Sequence, residues 1–244
     1  MENYFVLSNG VKMPKIGFGT YKSTDGSDEC VISQALETGY RLLDTAAAYK
    51  NEEQVGKAMA RSGISRKEIF LTSKVWKTNL GYENTKISFQ ESLERLQTDY
   101  LDLCLLHWPK TDYLDLVLLH QPFSDAYGAW RALEELYKEG KVRAIGVSNF
   151  LPHHLVNIQK TAEIQPMVDQ LELHVGYLQG AAVAYCKEHQ ILVQAWSPLG
   201  RRRIMEQEQV QKMAEKYQVS AAQFLLRFLL QLGIGVIPKA SVPE

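Results

Sequence analysis

The 244 residues are 45% apolar and 23% charged, the composition of one larger globular domain or two small ones. Twenty-seven Lys and Arg against 28 Asp and Glu leave a formal charge of −1, so no basic field is available for a nucleic-acid backbone or an acidic membrane surface, and a small ligand is expected. Cys30, Cys104 and Cys186 are odd in number and lack CxxC spacing; with no apolar run near the roughly 18 residues of a membrane span and no basic-then-apolar leader, a reducing, cytoplasmic location is expected.

Residues 5–7 and 11–13 flank Ser8-Asn9-Gly10, whose Asn-Gly pair accepts the left-handed dihedrals of a hairpin turn. Short β-rich runs then alternate with segments of helical period. Strand 16–20 leads to helix 28–38, strand 41–45 to helix 52–62, strand 69–75 to helix 83–96, and a strand near 100–107 to helix 129–139. Strand 142–148 leads to helix 152–161, strand 167–172 to helix 181–189, strand 192–196 to a helix pair at 207–217 and 221–232, and strand 235–238 comes last. Ser220 and Gln223 read as a capping box, and Gly39, Gly63, Gly140 and Gly233 fall where helices stop. Eight alternating units in about 250 residues is the size of a (β/α)8 TIM barrel, an α/β fold. The rival doubly wound sheet calls for GxGxxG after its first strand, whereas Gly17-Phe18-Gly19-Thr20 has no third glycine. No linker-like segment interrupts the chain, so residues 1–244 are expected to form a single domain.

One segment breaks the barrel pattern. Residues 98–110, TDYLDLCLLHWPK, are followed at once by 111–123, TDYLDLVLLHQPF. Solenoid repeats run about 20 residues or more and need at least three copies, so this is a local duplication of one strand. A barrel has room for one copy. The other must bury its LDLxLLH run elsewhere or expose an apolar, β-prone window. His107 lies 33 residues after Lys74 and follows helix 83–96 through a short connection, which favours the first copy and makes 108–128 a loop over the strand ends. The alternative places His120 there instead.

Parallel barrels carry their chemistry at the carboxyl ends of the strands. The polar residues closing these strands are Asp44 with Tyr49 just beyond, Lys74, His107 or His120, Ser148-Asn149, Gln170 and Glu172, Trp196-Ser197, and Lys239. Singly, each has an ordinary structural reading as a turn cap, a solvated cation or a packed ring; their joint occurrence points to chemistry. A tyrosine, with its ordinary pKa near 10, needs a neighbouring positive charge to exchange a proton at neutral pH. Lys74 supplies one, and a buried lysine needs a carboxylate to stay charged, for which Asp44 is at hand. A histidine is left to hydrogen-bond a carbonyl oxygen. No HxH pair closes a strand, so no metal centre is expected, and His153-His154 falls at a helix start.

These residues sit in motifs. Residues 39–56, GYRLLDTAAAYKNEEQVG, resemble the first signature of the aldo-keto reductases, and 141–150, KVRAIGVSNF, are similar to the second. LLHWP, Asp169-Gln170, AWSPL at 195–199 and Ile237-Pro238-Lys239 follow in the family's order, so the resemblance spans essentially the whole chain. It implies a compact bacterial-type member, like the diketo-gluconate reductases, that reduces aldehydes or ketones with NADP(H). Tyr49 would be the proton donor, tuned by Lys74 and Asp44, with the histidine orienting the carbonyl. By the same resemblance Ser148, Asn149 and Gln170 would hold the nicotinamide carboxamide, and Trp196 would stack on its ring. Ser197 and Leu199 would lie by the pyrophosphate, Lys239 and Ser241 would meet the 2′-phosphate, and Trp76 and Trp108 would line an apolar substrate pocket. The family continues past Ser241-Val-Pro-Glu244 with an arginine for that phosphate, an eighth outer helix and a C-terminal loop, and usually has serine where Ala240 stands. A missing eighth helix and a weakened NADPH preference are therefore expected, and a barrel that binds cofactor without turnover is the alternative reading.

Overall fold

The computed structural model describes residues 3–23, 30–108, 125–200 and 203–239. Strands β1 (Tyr4–Val6) and β2 (Lys12–Pro14) pair antiparallel, Phe5 opposite Met13. Asn9 holds the turn by accepting the Val11 N–H on Oδ1 at 3.1 Å, and its Nδ2 donates to the Arg143 carbonyl at 2.9 Å. The hairpin is thereby tied across the base of the barrel, with Leu7 and Met13 buried in the core.

The parallel strands are β3 (Phe18–Gly19), β4 (Leu42–Asp44), β5 (Phe70–Val75), β6 (Leu103–Leu106), β7 (Ile145–Ser148), β8 (Val168–Glu172), β9 (Leu192–Trp196) and β10 (Gly235–Val236), each bonded to the next in chain order. The ends of this sheet meet. Ile16 bridges Val236 in parallel, Val236 N donates to Lys15 O at 3.0 Å, and Gly17 and Gly19 donate to Val236 O and Pro238 O at 2.9 Å. Closure leaves this sheet no edge, and its strands are covered on both faces: all of β5 and β6 is buried, β6 wholly apolar and β5 carrying Thr72, Ser73 and Lys74 inside. At Gly146 an added Cβ would lie 2.4 Å from the Val168 carbonyl, so only glycine lets β7 approach β8 this closely.

Around the strands stand α1 (Cys30–Glu37), α2 (Glu52–Arg61), α3 (Tyr82–Leu96), α4 (Ala126–Lys138), α5 (Pro152–Gln159), α6 (Gly180–Glu188), α7 (Glu208–Lys216) and α8 (Ala221–Gln231). The expected capping box opens α8, Ser220 Oγ accepting the Gln223 N–H at 3.2 Å. Helix α4 begins three residues earlier than the periodicity indicated, because Asp125 caps it by accepting the Gly128 N–H at 2.6 Å. No helix among the described residues is long and apolar enough to cross a membrane.

The first copy of the duplication forms β6 and carries His107 at its end. The whole of the second copy, including His120, lies outside the described residues, as do Ala240, Ser241 and the expectation about an eighth outer helix.

Candidate active site

Asp44 closes β4 opposite Thr72 of the neighbouring β5, and Lys74 lies two residues further along β5, one from its end. Just after β4 the chain makes a short 3-10 turn, Ala47–Tyr49, that brings Tyr49 back over the strand ends. Lys74 Nζ reaches Asp44 Oδ1 at 2.6 Å, the Thr45 carbonyl at 2.8 Å and the Tyr49 hydroxyl at 3.3 Å. An ammonium has three hydrogens, and all three are used. Both charged side chains are shut from water, at 0% and 2% exposure, so the pair stands only because its hydrogen bonds replace the lost solvent.

Burial pulls the Lys74 pKa down, but the Asp44 carboxylate and Tyr49 hydroxyl outweigh it and hold the ammonium above its ordinary value. Tyr49 departs from the simple expectation that a lysine lowers it. Burial is the largest influence and raises its hydroxyl; Lys74 lowers it through charge and hydrogen bond, and Asp44 offsets the lysine's charge, so the net shift is upward. At neutral pH the tyrosine therefore holds its proton, and the nearby cation eases its release.

His107 follows β6, its N–H bonded to the Val75 carbonyl at 3.0 Å. The ring stands edge-on to Tyr49 and Trp76, with centroids 5.7 Å and 5.0 Å away. Burial, then the Lys74 charge, pushes its pKa down to about 2, so the imidazole is neutral. Its Nδ1 is buried without a partner. An orphaned buried N–H costs more than an idle lone pair, which favours the tautomer with the hydrogen on Nε2.

The cavity above these groups measures about 1590 Å³. Asp44, Tyr49 and His107 line its floor, and Lys74 sits behind Tyr49 rather than on the wall. Trp76 and Trp108 line one side; Ser148, Asn149, Gln170 and Trp196 line another, continuing through Ser197 and Leu199 to Lys239 at the rim. Glu172, in the same strand-end set, does not line it. Glu172 apart, the structure thus gathers the described residues of the sequence-derived site on or just behind the walls of one cavity, whereas Ser241 and His120 fall outside the described residues.

The wall from β7 to β9 is internally bonded. Asn149 has φ +64, a left-handed conformation that asparagine tolerates. Its Oδ1 accepts the Trp196 indole N–H at 2.8 Å, and its Nδ2 donates to Ser148 Oγ at 3.1 Å and the His107 carbonyl at 3.3 Å. Gln170 Nε2 donates to Asp44 Oδ2 at 2.7 Å and to Gln194 Oε1 at 2.8 Å. Sequence reasoning missed Gln194, although its signal was present: within Leu-Val-Gln-Ala-Trp it shares the strand parity of Trp196 and is the polar residue there. It also missed Tyr21, on the cavity wall with its ring 5.0 Å from that of Tyr49; an aromatic after β3 carries no motif.

The aldo/keto reductase family model matches residues 15–112 and again 110–244, breaking where the first copy of the duplicated segment gives way to the second. The glyoxal reductase of Bacillus subtilis is 48% identical over 236 residues, covering 96% of this chain and 81% of that protein. The methylglyoxal reductase of Escherichia coli is 38% identical over 241 residues, covering 98% and 83%. An aldo/keto reductase from Brucella melitensis superposes with a TM-score of 0.90 at 39% identity, covering 98% of this chain and 89% of that one. A Bombyx mori aldo-keto reductase in complex with NADP gives 0.87 at 31% identity, covering 98% and 83%. With the matched segments spanning nearly the whole chain, it belongs to the aldo/keto reductase family.

Proposed function

We propose that the protein reduces small aldehydes and ketones to alcohols with NADP(H), Tyr49 giving the proton. The observation that carries this reading is the ammonium of Lys74 held between Asp44 at 2.6 Å and the Tyr49 hydroxyl at 3.3 Å, with neutral His107 beside it on one cavity floor. A carbonyl oxygen seated there accepts one hydrogen bond from Tyr49 and another from His107 Nε2. As negative charge develops on that oxygen, the tyrosine proton passes to it and the resulting phenolate faces the Lys74 ammonium. A neutral histidine suits this role, since it donates a hydrogen bond without competing as an acid.

The residues present fit a nicotinamide dinucleotide. Gln170 spends both Nε2 hydrogens on Asp44 and Gln194, which leaves Oε1 to accept from a carboxamide. Trp196 offers a ring held by its N–H, and Lys239 brings an ammonium to the rim for a phosphate. When bound, the cofactor supplies the hydride. Trp76, Trp108 and Tyr21 give the mouth an aromatic lining that excludes water and fits a short, weakly polar carbonyl. The named activities of the glyoxal and methylglyoxal reductases support short dicarbonyls as first candidates. Nothing among the described residues favours cofactor binding without turnover, because the proton-transfer contacts are complete. NADPH consumption on a panel of short aldehydes and dicarbonyls tests the reading: turnover is expected, and tight NADPH binding without turnover on any of them would refute it.

A further inference from the structure

We propose that Gln194 is a positioning residue that orients Gln170 toward the cofactor; the inference rests on the reading just given. Gln194 lies on β9 opposite Gln170 on β8, both nearly fully buried. Gly235 faces it from β10 and adds no side chain to crowd it. The Gln170 amide carries two hydrogens about 120° apart in one plane. One acceptor would fix only a direction, leaving the amide plane to turn about it. Two fix the plane: Asp44 Oδ2 at 2.7 Å decides which end of the amide faces the floor, and Gln194 Oε1 at 2.8 Å stops it turning. The remaining group, Oε1 of Gln170, is then held as the acceptor for the carboxamide. Through the Gln170 amide Gln194 is linked to Asp44, whose other oxygen holds Lys74.

Gln194→Met keeps the side-chain length and removes the acceptor. Titrating folded protein with NADPH by fluorescence should show Kd weakened by about tenfold, the upper end of what one neutral hydrogen bond supplies, while the carbonyl KM stays within about twofold. In a Gln170→Met background the second substitution should add no further loss, because Gln194 acts through Gln170. Gln194→Asn keeps an amide but draws the oxygen back by one methylene, and should weaken Kd as well; it serves if the methionine variant does not fold. A wild-type Kd in whichever variant folds would overturn the inference, whatever its melting temperature, and so would full additivity with Gln170→Met. Failure of the cofactor part of that reading, on which the inference rests, looks different: the unmodified protein itself would not bind NADPH.

Discussion

Lys74→Met tests the centre of the site most directly. The substitution removes an ammonium whose three hydrogen bonds reach Asp44, the Thr45 carbonyl and Tyr49, and leaves a carboxylate only 2% exposed facing an apolar chain. Removing one partner of a buried ion pair costs about 3–5 kcal/mol; the Gln170 hydrogen bond that Asp44 keeps sets the expectation at the lower end. Adding Asp44→Asn should recover part of this, because the orphaned charge is gone, so the double variant should be less destabilised than the sum of the singles. The pH dependence has a definite sign. Lys74 is held above its ordinary value of 10.5, so its contribution is fully present below the unfolded value and is lost as pH rises through the folded one. The stability gap between wild type and Lys74→Met should therefore be flat around neutrality and narrow only in strong alkali. For chemistry, burial and Asp44 both raise the Tyr49 pKa while Lys74 opposes them. Without the lysine, turnover should fall by about 10²–10⁴, with NADPH Kd nearly unchanged, because Lys74 does not line the cavity. Urea unfolding, cofactor titration and NADPH consumption give the three numbers. Near-wild-type turnover in a folded variant would refute the proton-transfer role.

Tyr49→Phe removes only the hydroxyl and should cut turnover by about 10²–10⁴ while NADPH Kd holds; an active variant would remove Tyr49 as donor. His107 is neutral down to about pH 2, so kcat/KM should show no histidine inflection near 6.5, and one abolished by His107→Gln would contradict the neutral ring. The unfolded chain protonates this histidine below its ordinary 6.5 while the fold does not, so His107 costs stability progressively on the acid side, by about 1.4 kcal/mol per pH unit; acid unfolding of His107→Gln should be correspondingly shallower. His107→Ala should reduce carbonyl reduction sharply and His120→Ala mildly, the reverse order indicating that the second copy supplies the site. Trp196→Phe keeps an aromatic face, smaller than the indole, but strips the donor from Asn149 Oδ1 and should weaken NADPH Kd by about threefold to tenfold; an unchanged Kd would mean that the bond does not position Asn149.

Much of this architecture was legible because barrels write it in two alternating periods. Strand–helix alternation gave the eight units, and the turn at Asn9-Gly10 and the cap at Ser220 marked boundaries that stand as read. The start of α4 is the exception, because the Asp125 cap outweighs the periodicity that begins at Ala129. Strand ends named the site, since Asp44, Lys74, Ser148, Gln170 and Trp196 are polar or amphipathic interruptions of apolar runs. Two things could not be read from the chain. The sign of the Tyr49 shift depends on how deeply the ring is buried against how fully Asp44 offsets Lys74, and depth is a property of the closed barrel. Gln194 acquires meaning only once β8 and β9 stand in register and two amides face each other.

The duplication shows how a sequence can be nearly indifferent to its own fold. Through their histidines the two copies differ only at Cys104 against Val117, both compatible with a buried strand position, so strand packing alone separates them weakly. What the barrel imposes is exclusivity. At the base, Asp102 accepts from Arg66 at 2.9 Å, Arg143 at 2.6 Å and the Leu71 N–H at 3.0 Å, with its side chain 1% exposed. At the other end, His107 is bonded to the Val75 carbonyl through its N–H and to Asn149 through its carbonyl. Only four residues lie between the two anchors, so a single copy must fill both, and a slip by one residue would turn Asp102 out of its cage and reverse the inward and outward faces. The choice between copies then rests on the connections. The first copy joins α3 to β6 by residues 97–102 and leaves residues 107–125 between the carboxyl end of β6 and α4; the second would lengthen the connection at the base by thirteen residues. Barrel loops tolerate length at the catalytic end, where loop variation belongs, and the base carries the Asp102 cage that a short connection keeps in place.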